Sequence, residues 1–154
     1  FNIMSQPSIY SMLAARQLAA MERRLTTAPR QLMGDARAVV ACLLRRPCPV
    51  DDAAPLEMFF ILRAKRGGRW SGQVSFPGGH ADAGETDLQA VERECTEECG
   101  LHLSSPGAYR RLGELPQLRV DRTGDRSLIV CCYVFEQLQR EPHTRLQPDE
   151  VSGT

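Results

Sequence analysis

A mixed α/β sandwich is the fold class this sequence predicts, and three observations carry it. Apolar, partly β-branched runs bounded by charge or turn residues recur at 37–44, 57–62 and 127–135, as in strands with a buried face. One stretch between them, 86–99, carries helical periodicity and a capping signature instead. The order is strands, one helix, then strands, which suits a sandwich better than a repeated βαβ unit.

A chain of 154 residues has room for one domain with a sizeable core. Hydrophobic residues at 42% and charged residues at 25% place it among globular chains and exclude disorder. Its 19 basic and 19 acidic side chains cancel. A nucleic-acid binder needs a basic surplus, so no nucleic-acid partner is expected and any phosphate recognition must be local. No run approaches the roughly 18 apolar residues of a membrane span, so no membrane partner is expected either. The six cysteines, Cys42, Cys48, Cys95, Cys99, Cys131 and Cys132, do not have the spacing of a secreted disulfide framework. Neither a CxxC pair nor a partnering histidine supports zinc. Reduced, partly buried thiols in an intracellular compartment are the expectation.

Residues 1–30 read as a tail and helix, and 31–154 as the domain. Phe1–Ile3, before Met4, read as an expression remnant. In 8–25, Ile9, Met12, Leu13, Leu18, Met21 and Leu25 recur near helical spacing, predicting an amphipathic helix packed on the domain. Its arginines, against the single acid Glu22, also give it some cast of a mitochondrial presequence. A buried strand follows at 37–44, then a proline-rich loop, RRPCPVDDAAP, and a second strand at 57–62. Residues 63–72, with Arg63, Lys65, Arg66 and Arg69 among three glycines, read as a basic, mobile loop. A short strand at Val74–Phe76 leads into a Pro-Gly-Gly turn at Pro77–Gly79. Thr86 with Gln89 forms a capping box, so a helix should run from Thr86 to about Cys99 and end at Gly100. Strands are expected near 109–118 and 127–135, with a turn at Asp121–Asp125.

On the 86–99 helix, Leu88, Val91, Cys95 and Cys99 fall on one stripe, the face that packs on the sheet. Glu94, Glu97 and Glu98 fall beside it, and like charges three or four apart repel by a few tenths of a kcal/mol. A structural helix gains nothing from this, whereas hard oxygen ligands are what Mg²⁺ or Mn²⁺ requires. A solvated acidic face is the plain alternative for a bare ERECTEE string. Glycines before the helix, Glu85 at its start and Arg93 within it argue the other way.

These residues closely resemble the Nudix box. Gly79, Glu85, Arg93, Glu94, Glu97, Glu98, Gly100 and Leu101 fill it in register, with Cys95 where an aliphatic is usual. The resemblance implies an α/β/α sandwich with a central mixed sheet, the box helix packed on it, and a divalent-metal-dependent hydrolase. It implies Glu94 and Glu98 as core metal ligands, Glu97 as a further ligand or base, and the Gly79 carbonyl as another ligand. Arg93 is expected to orient a glutamate, Glu85, through a bidentate pair rather than to touch substrate.

The preceding segment, FFILRAKRGGRWSGQVSFPGG, resembles the coenzyme A diphosphatase branch of the same enzymes, through Arg63, Ala64, Gly72 and Phe76–Gly79. Gly68 stands where that branch has a second arginine, with Arg69 one place along. By this resemblance the substrate is coenzyme A or an acyl-CoA, giving 3′,5′-ADP and 4′-phosphopantetheine, with Arg63, Arg69 and Gly78 meeting it. Trp70 reads as a half-buried loop anchor rather than a base-stacking platform. Pro116, fifteen residues after Leu101, has the spacing associated with ADP-ribose diphosphatases and keeps ADP-ribose or a nucleotide sugar as the alternative. A catalytically silent nucleotide-binding module is the alternative of another class. Asp149 and Glu150 are candidates for a late catalytic base or metal contact, beside a plain structural role. Nudix domains continue into a last strand and a C-terminal helix, which is expected to fall outside this sequence. With it would go any C-terminal address, so cytoplasm, mitochondrion and a peroxisome-like organelle all stay open, as does a homodimer.

Overall fold

The computed structural model describes residues 9–25, 31–46, 56–65, 70–121, 127–139 and 144–153. Two strands form its axis, β1 (Ala36–Arg45) and β8 (Ser127–Gln137), paired in parallel from Ala36↔Leu128 to Arg45↔Gln137. Both are almost wholly buried toward their C-terminal halves, which explains their continuous apolar reading in the sequence. Around them lie β2 (Glu57–Met58) and β5 (Gly78–His80), both antiparallel to β1, and β6 (Tyr109–Glu114) and β7 (Leu118–Asp121), both antiparallel to β8. The result is a six-stranded mixed sheet. A separate three-stranded sheet runs β4 (Val74–Ser75), β3 (Ile61–Arg63) and β9 (Val151–Gly153) in that order.

Two helices complete the described fold, α1 (Ile9–Glu22) and α2 (Asp87–Cys99). None of the described helices is long and apolar enough to cross a membrane. Alternation along β1 separates two apolar clusters. Val39, Ala41 and Leu43 point toward α2 and pack with Val91, Cys95, Cys99, Ile129 and Phe135. Cys42 and Leu44 point the other way, toward Leu18, Met21 and Leu25, which come from α1 and the turn after it. The sheet therefore has helix cover on both faces.

Four readings change. The strand expected at 57–62 is two, β2 in the large sheet and β3 in the small one, because the chain crosses between sheets at Phe59 and Phe60. An apolar run says that residues are buried, not against which sheet. The strand expected at 109–118 likewise divides at Leu115–Gln117 into β6 and β7, as Pro116 has no N–H to continue a ladder. The Pro-Gly-Gly segment is not a free turn: Gly78 and Gly79 belong to β5. Gly78 has φ 145°, and a β-carbon there would lie 2.1 Å from the Val39 carbonyl oxygen, so only glycine allows this approach. The first helix ends at Glu22 rather than 25.

The second helix matches its sequence signals. Thr86 accepts from the Gln89 N–H, the Gln89 side chain answers the Thr86 N–H at 2.9 Å, and Gly100 closes the helix at φ 69°. Phe1–Ile3, Cys48, most of the proline-rich loop, Arg66, Arg69 and all but the start of the Asp121–Asp125 turn lie outside the described residues. The five described cysteines are free. Burial pushes the thiols of Cys99 and Cys131 up to about 12, as suits inert core groups.

Candidate active site

The site forms where α2 lies against β5. Pairing of β5 with β1 fixes Gly78 and Gly79 beneath the helix, and helical spacing brings Glu94 and Glu98, one turn apart, over them. The Gly78 N–H donates to Glu98 Oε2 at 2.8 Å. A β-carbon on Gly79 would sit 2.4 Å from Glu94 Oε1, so that carboxylate presses on the glycine backbone. Glu98 is 2% exposed, buried with the core stripe of α2. Glu97 points outward, its side chain 56% exposed. The sequence grouped all three glutamates on one face, and the structure separates them.

Arg93 organises the outer half. Its Nε donates to Glu85 Oε1 at 2.8 Å and its Nη2 to Glu85 Oε2 at 3.1 Å, a bidentate pair. Its Nη1 donates to Glu94 and to Glu97, each at 3.0 Å, and its Nη2 also reaches the His80 carbonyl at 3.0 Å. One guanidinium thus ties the start of the helix, the end of β5 and two helix glutamates together. The pairing holds Glu85 below the usual carboxylate range.

Electrostatics distinguish the inner pair. Desolvation by burial raises Glu94 and pushes Glu98 up to about 7; the charge of Glu150 adds to both, with that of Glu97 acting on Glu94 and that of Glu94 on Glu98. The segment 145–151 brings Glu150 there: Arg145 and Gln147 donate their N–H groups to the Cys99 and Glu98 carbonyls, at 2.8 and 2.9 Å, and the Glu150 carbonyl accepts from Ala64 at 2.8 Å. The position of Glu150 in the sequence gave only a hint of this. Arg63, at the end of β3, approaches Glu98 Oε1 at 3.9 Å and partly offsets the burial. Gly78 was expected to meet substrate, but its N–H is engaged by Glu98. Trp70 is 55% exposed, about as half-buried as the sequence reading has it.

The donor chemistry suits a hard divalent ion: two adjacent, desolvated carboxylates whose negative charge the neighbouring cations only partly balance. Among the described residues no three His, Cys, Asp or Glu side chains converge as a ready metal cage. Mg²⁺ retains several of its own waters and is held by one or two carboxylates plus substrate oxygens, so this arrangement fits it better than an ion that needs a closed protein shell.

A family profile described as NUDIX domain matches residues 37–154. A sequence search of the curated proteins finds no match. Among solved structures, the chain is similar to an Ap4A hydrolase of C. elegans in a binary complex, at 18% identity and TM-score 0.59, over 77% of this chain and 76% of that one. It is similar to the Nudix hydrolase RenU of M. smegmatis at 19% and 0.57, over 75% and 66%. A MutT Nudix hydrolase of Burkholderia pseudomallei gives 21% and 0.56, over 77% and 78%. At these identities the likeness is one of fold.

Proposed function

The chain belongs to the NUDIX domain family, and from that premise we propose that it hydrolyses the phosphoanhydride bond of a nucleoside-diphosphate-linked substrate. Coenzyme A or an acyl-CoA is the substrate we favour, giving 3′,5′-ADP and 4′-phosphopantetheine. The observation that carries the reaction is the desolvated pair Glu94 and Glu98 set against the Gly78–Gly79 backbone.

In this reading Glu94, Glu98 and the Gly79 carbonyl hold Mg²⁺ or Mn²⁺. Such an ion, when bound, polarises phosphoryl oxygens and lowers the pKa of an attacking water. The chain's own work is positioning. The Gly78 N–H fixes one oxygen of Glu98, and Arg93 fixes Glu94 from the other side. Glu97, also held by Arg93, lies outward in solvent where Glu94 is largely buried, which favours an outer, orienting role for that glutamate over direct ligation. Glu150 adds negative charge near both carboxylates. Phosphoryl transfer needs mainly such alignment and charge balance. Water adds to one phosphorus, and the bridging oxygen leaves with the other phosphate.

Support for coenzyme A comes from the residues preceding the box and from Arg63, which the fold puts beside Glu98, at the position from which a guanidinium can meet a phosphate. A panel of coenzyme A, dephospho-coenzyme A, ADP-ribose, a nucleotide sugar and Ap4A, assayed with Mg²⁺ and read by product mass, tests the choice. Cleavage of coenzyme A to 3′,5′-ADP in preference to the rest is the expected result, and Glu98→Gln should lower it by orders of magnitude. Arg63→Ala should mainly raise KM for coenzyme A. An equal rise for dephospho-coenzyme A would remove Arg63 from 3′-phosphate recognition. Nucleotide binding without turnover of any compound would identify a silent module.

A further inference from the structure

A second cleft, of about 410 Å³, opens between the first turn of α2, the start of β1 and the segment 31–34. That volume lies in the range of small-molecule sites, roughly 300–1,000 Å³. Asp87 is eleven residues before Glu98, about 16 Å along the helix axis at about 1.5 Å per residue, so the cleft is separate from the carboxylate pair. Leu32, Met33 and Leu88 supply its apolar surface, and Arg37, Asp87 and Tyr133 its polar one.

Charge narrows what could enter. Arg37 donates through Nε to Asp87 Oδ1 at 2.8 Å and through Nη2 to Oδ2, and its Nη1 reaches the Leu32 carbonyl at 3.0 Å. Each partner holds the other ionised, so neither is free for a ligand ion. Glu85, also on the lining, is matched by Arg93. A strongly charged ligand of either sign would have to break one of these pairs.

Tyr133 is different. It is 5% exposed, and its hydroxyl has no hydrogen bond among the described residues. It is not sealed in the core as the unpartnered Tyr109 and Ser75 hydroxyls are, and it lines the cleft. Burial raises its pKa, so the phenol stays protonated and offers a donor. Leaving such a donor unmet costs about 1–3 kcal/mol.

We propose that this cleft is a second small-molecule site, for a neutral, planar heterocycle of nucleobase size that accepts a hydrogen bond from Tyr133 and rests on Leu32, Met33 and Leu88. The proposal concerns binding alone and stands whether or not the hydrolase reading holds.

The test titrates the whole chain with 2-aminopurine, a neutral fluorescent purine, and maps amide chemical shifts. Saturable binding should move the amides of Leu32, Asp87, Leu88 and Tyr133 and leave those of Glu94 and Glu98 in place. Tyr133→Phe, which removes only the hydroxyl, should weaken binding about five- to tenfold, the equivalent of about one hydrogen bond. Met33 is 84% exposed, so Met33→Trp can obstruct the mouth without disturbing the core, and it should abolish binding. No saturation into the millimolar range, shifts confined to the Gly78–Glu98 end, or unweakened binding by both variants would each overturn the proposal.

Discussion

Single side chains decide the chemistry because each critical position is constrained from several directions. Gly79 is one: its missing β-carbon is the space that the Glu94 carboxylate occupies. Gly79→Ala should displace that carboxylate and cut turnover at least tenfold, while thermal melting shifts by only a few degrees. Full activity in a folded variant would show that Glu94 need not lie against the glycine. Asp87 is a second such position. Its pairing with Arg37 holds its carboxyl below the ordinary 3.8, so the folded chain keeps it ionised where the unfolded chain takes up a proton. The stabilisation is complete above pH 3.8 and is lost as pH falls through the lower folded value. Asp87→Asn should therefore melt lower than the parent by an amount that is level from pH 7 to about 5 and closes below about 3.8. A gap that stays constant down to pH 3 would mean that the ion pair contributes nothing.

At the scale of elements, α2 has to be both a packing helix and a site. Val91, Cys95 and Cys99 bury one stripe, and the same burial desolvates Glu98 in the adjoining row. Its ends are fixed separately, by the Thr86–Gln89 box and by Gly100, whose N–H donates to the Thr96 carbonyl while that of Leu101 donates to the Cys95 carbonyl. Thr86→Ala removes one side of the box and should cost about 1 kcal/mol, visible as a lower denaturant midpoint. A loss well below about 0.5 kcal/mol would show that packing alone sets where the helix starts. These signals were fully legible in the sequence, since caps and a 3.6-residue period are local. The two divided strands were not. Whether 57–62 stays in one sheet depends on partners far along the chain: β1 for Glu57–Met58, and β9 for Leu62 and Arg63.

For the molecule as a whole, α1 is tied to the sheet by more than apolar contact. Glu136 on β8, almost fully buried, takes Arg46 at 2.9 Å and Arg110 at 2.8 Å, and Arg110 holds Glu22 at the end of α1 at 3.0 Å. Leu18 is 2% exposed in the cluster on that face. Leu18→Ala should cost about 3 kcal/mol, measured by chemical denaturation. A negligible loss would mean that α1 rides on the domain without stabilising it. Both sheets contribute to the candidate site, since β5 on β1 of the larger sheet carries the glycines and the 145–151 segment, leading into β9 of the smaller one, brings Glu150 to the helix.

The sequence by itself determined the family, the box helix and its caps, and the identity of the carboxylates, because each is written in spacing over a few turns. Only the tertiary structure decided which glutamates face inward, that Gly78 serves Glu98, that Glu150 approaches the pair, and that the Tyr133 hydroxyl, beside a cleft, meets no hydrogen-bond partner among the described residues. Burial and pairing are properties of surfaces brought together from distant parts of the chain, and no local pattern encodes which of two chemically identical carboxylates will lose its water.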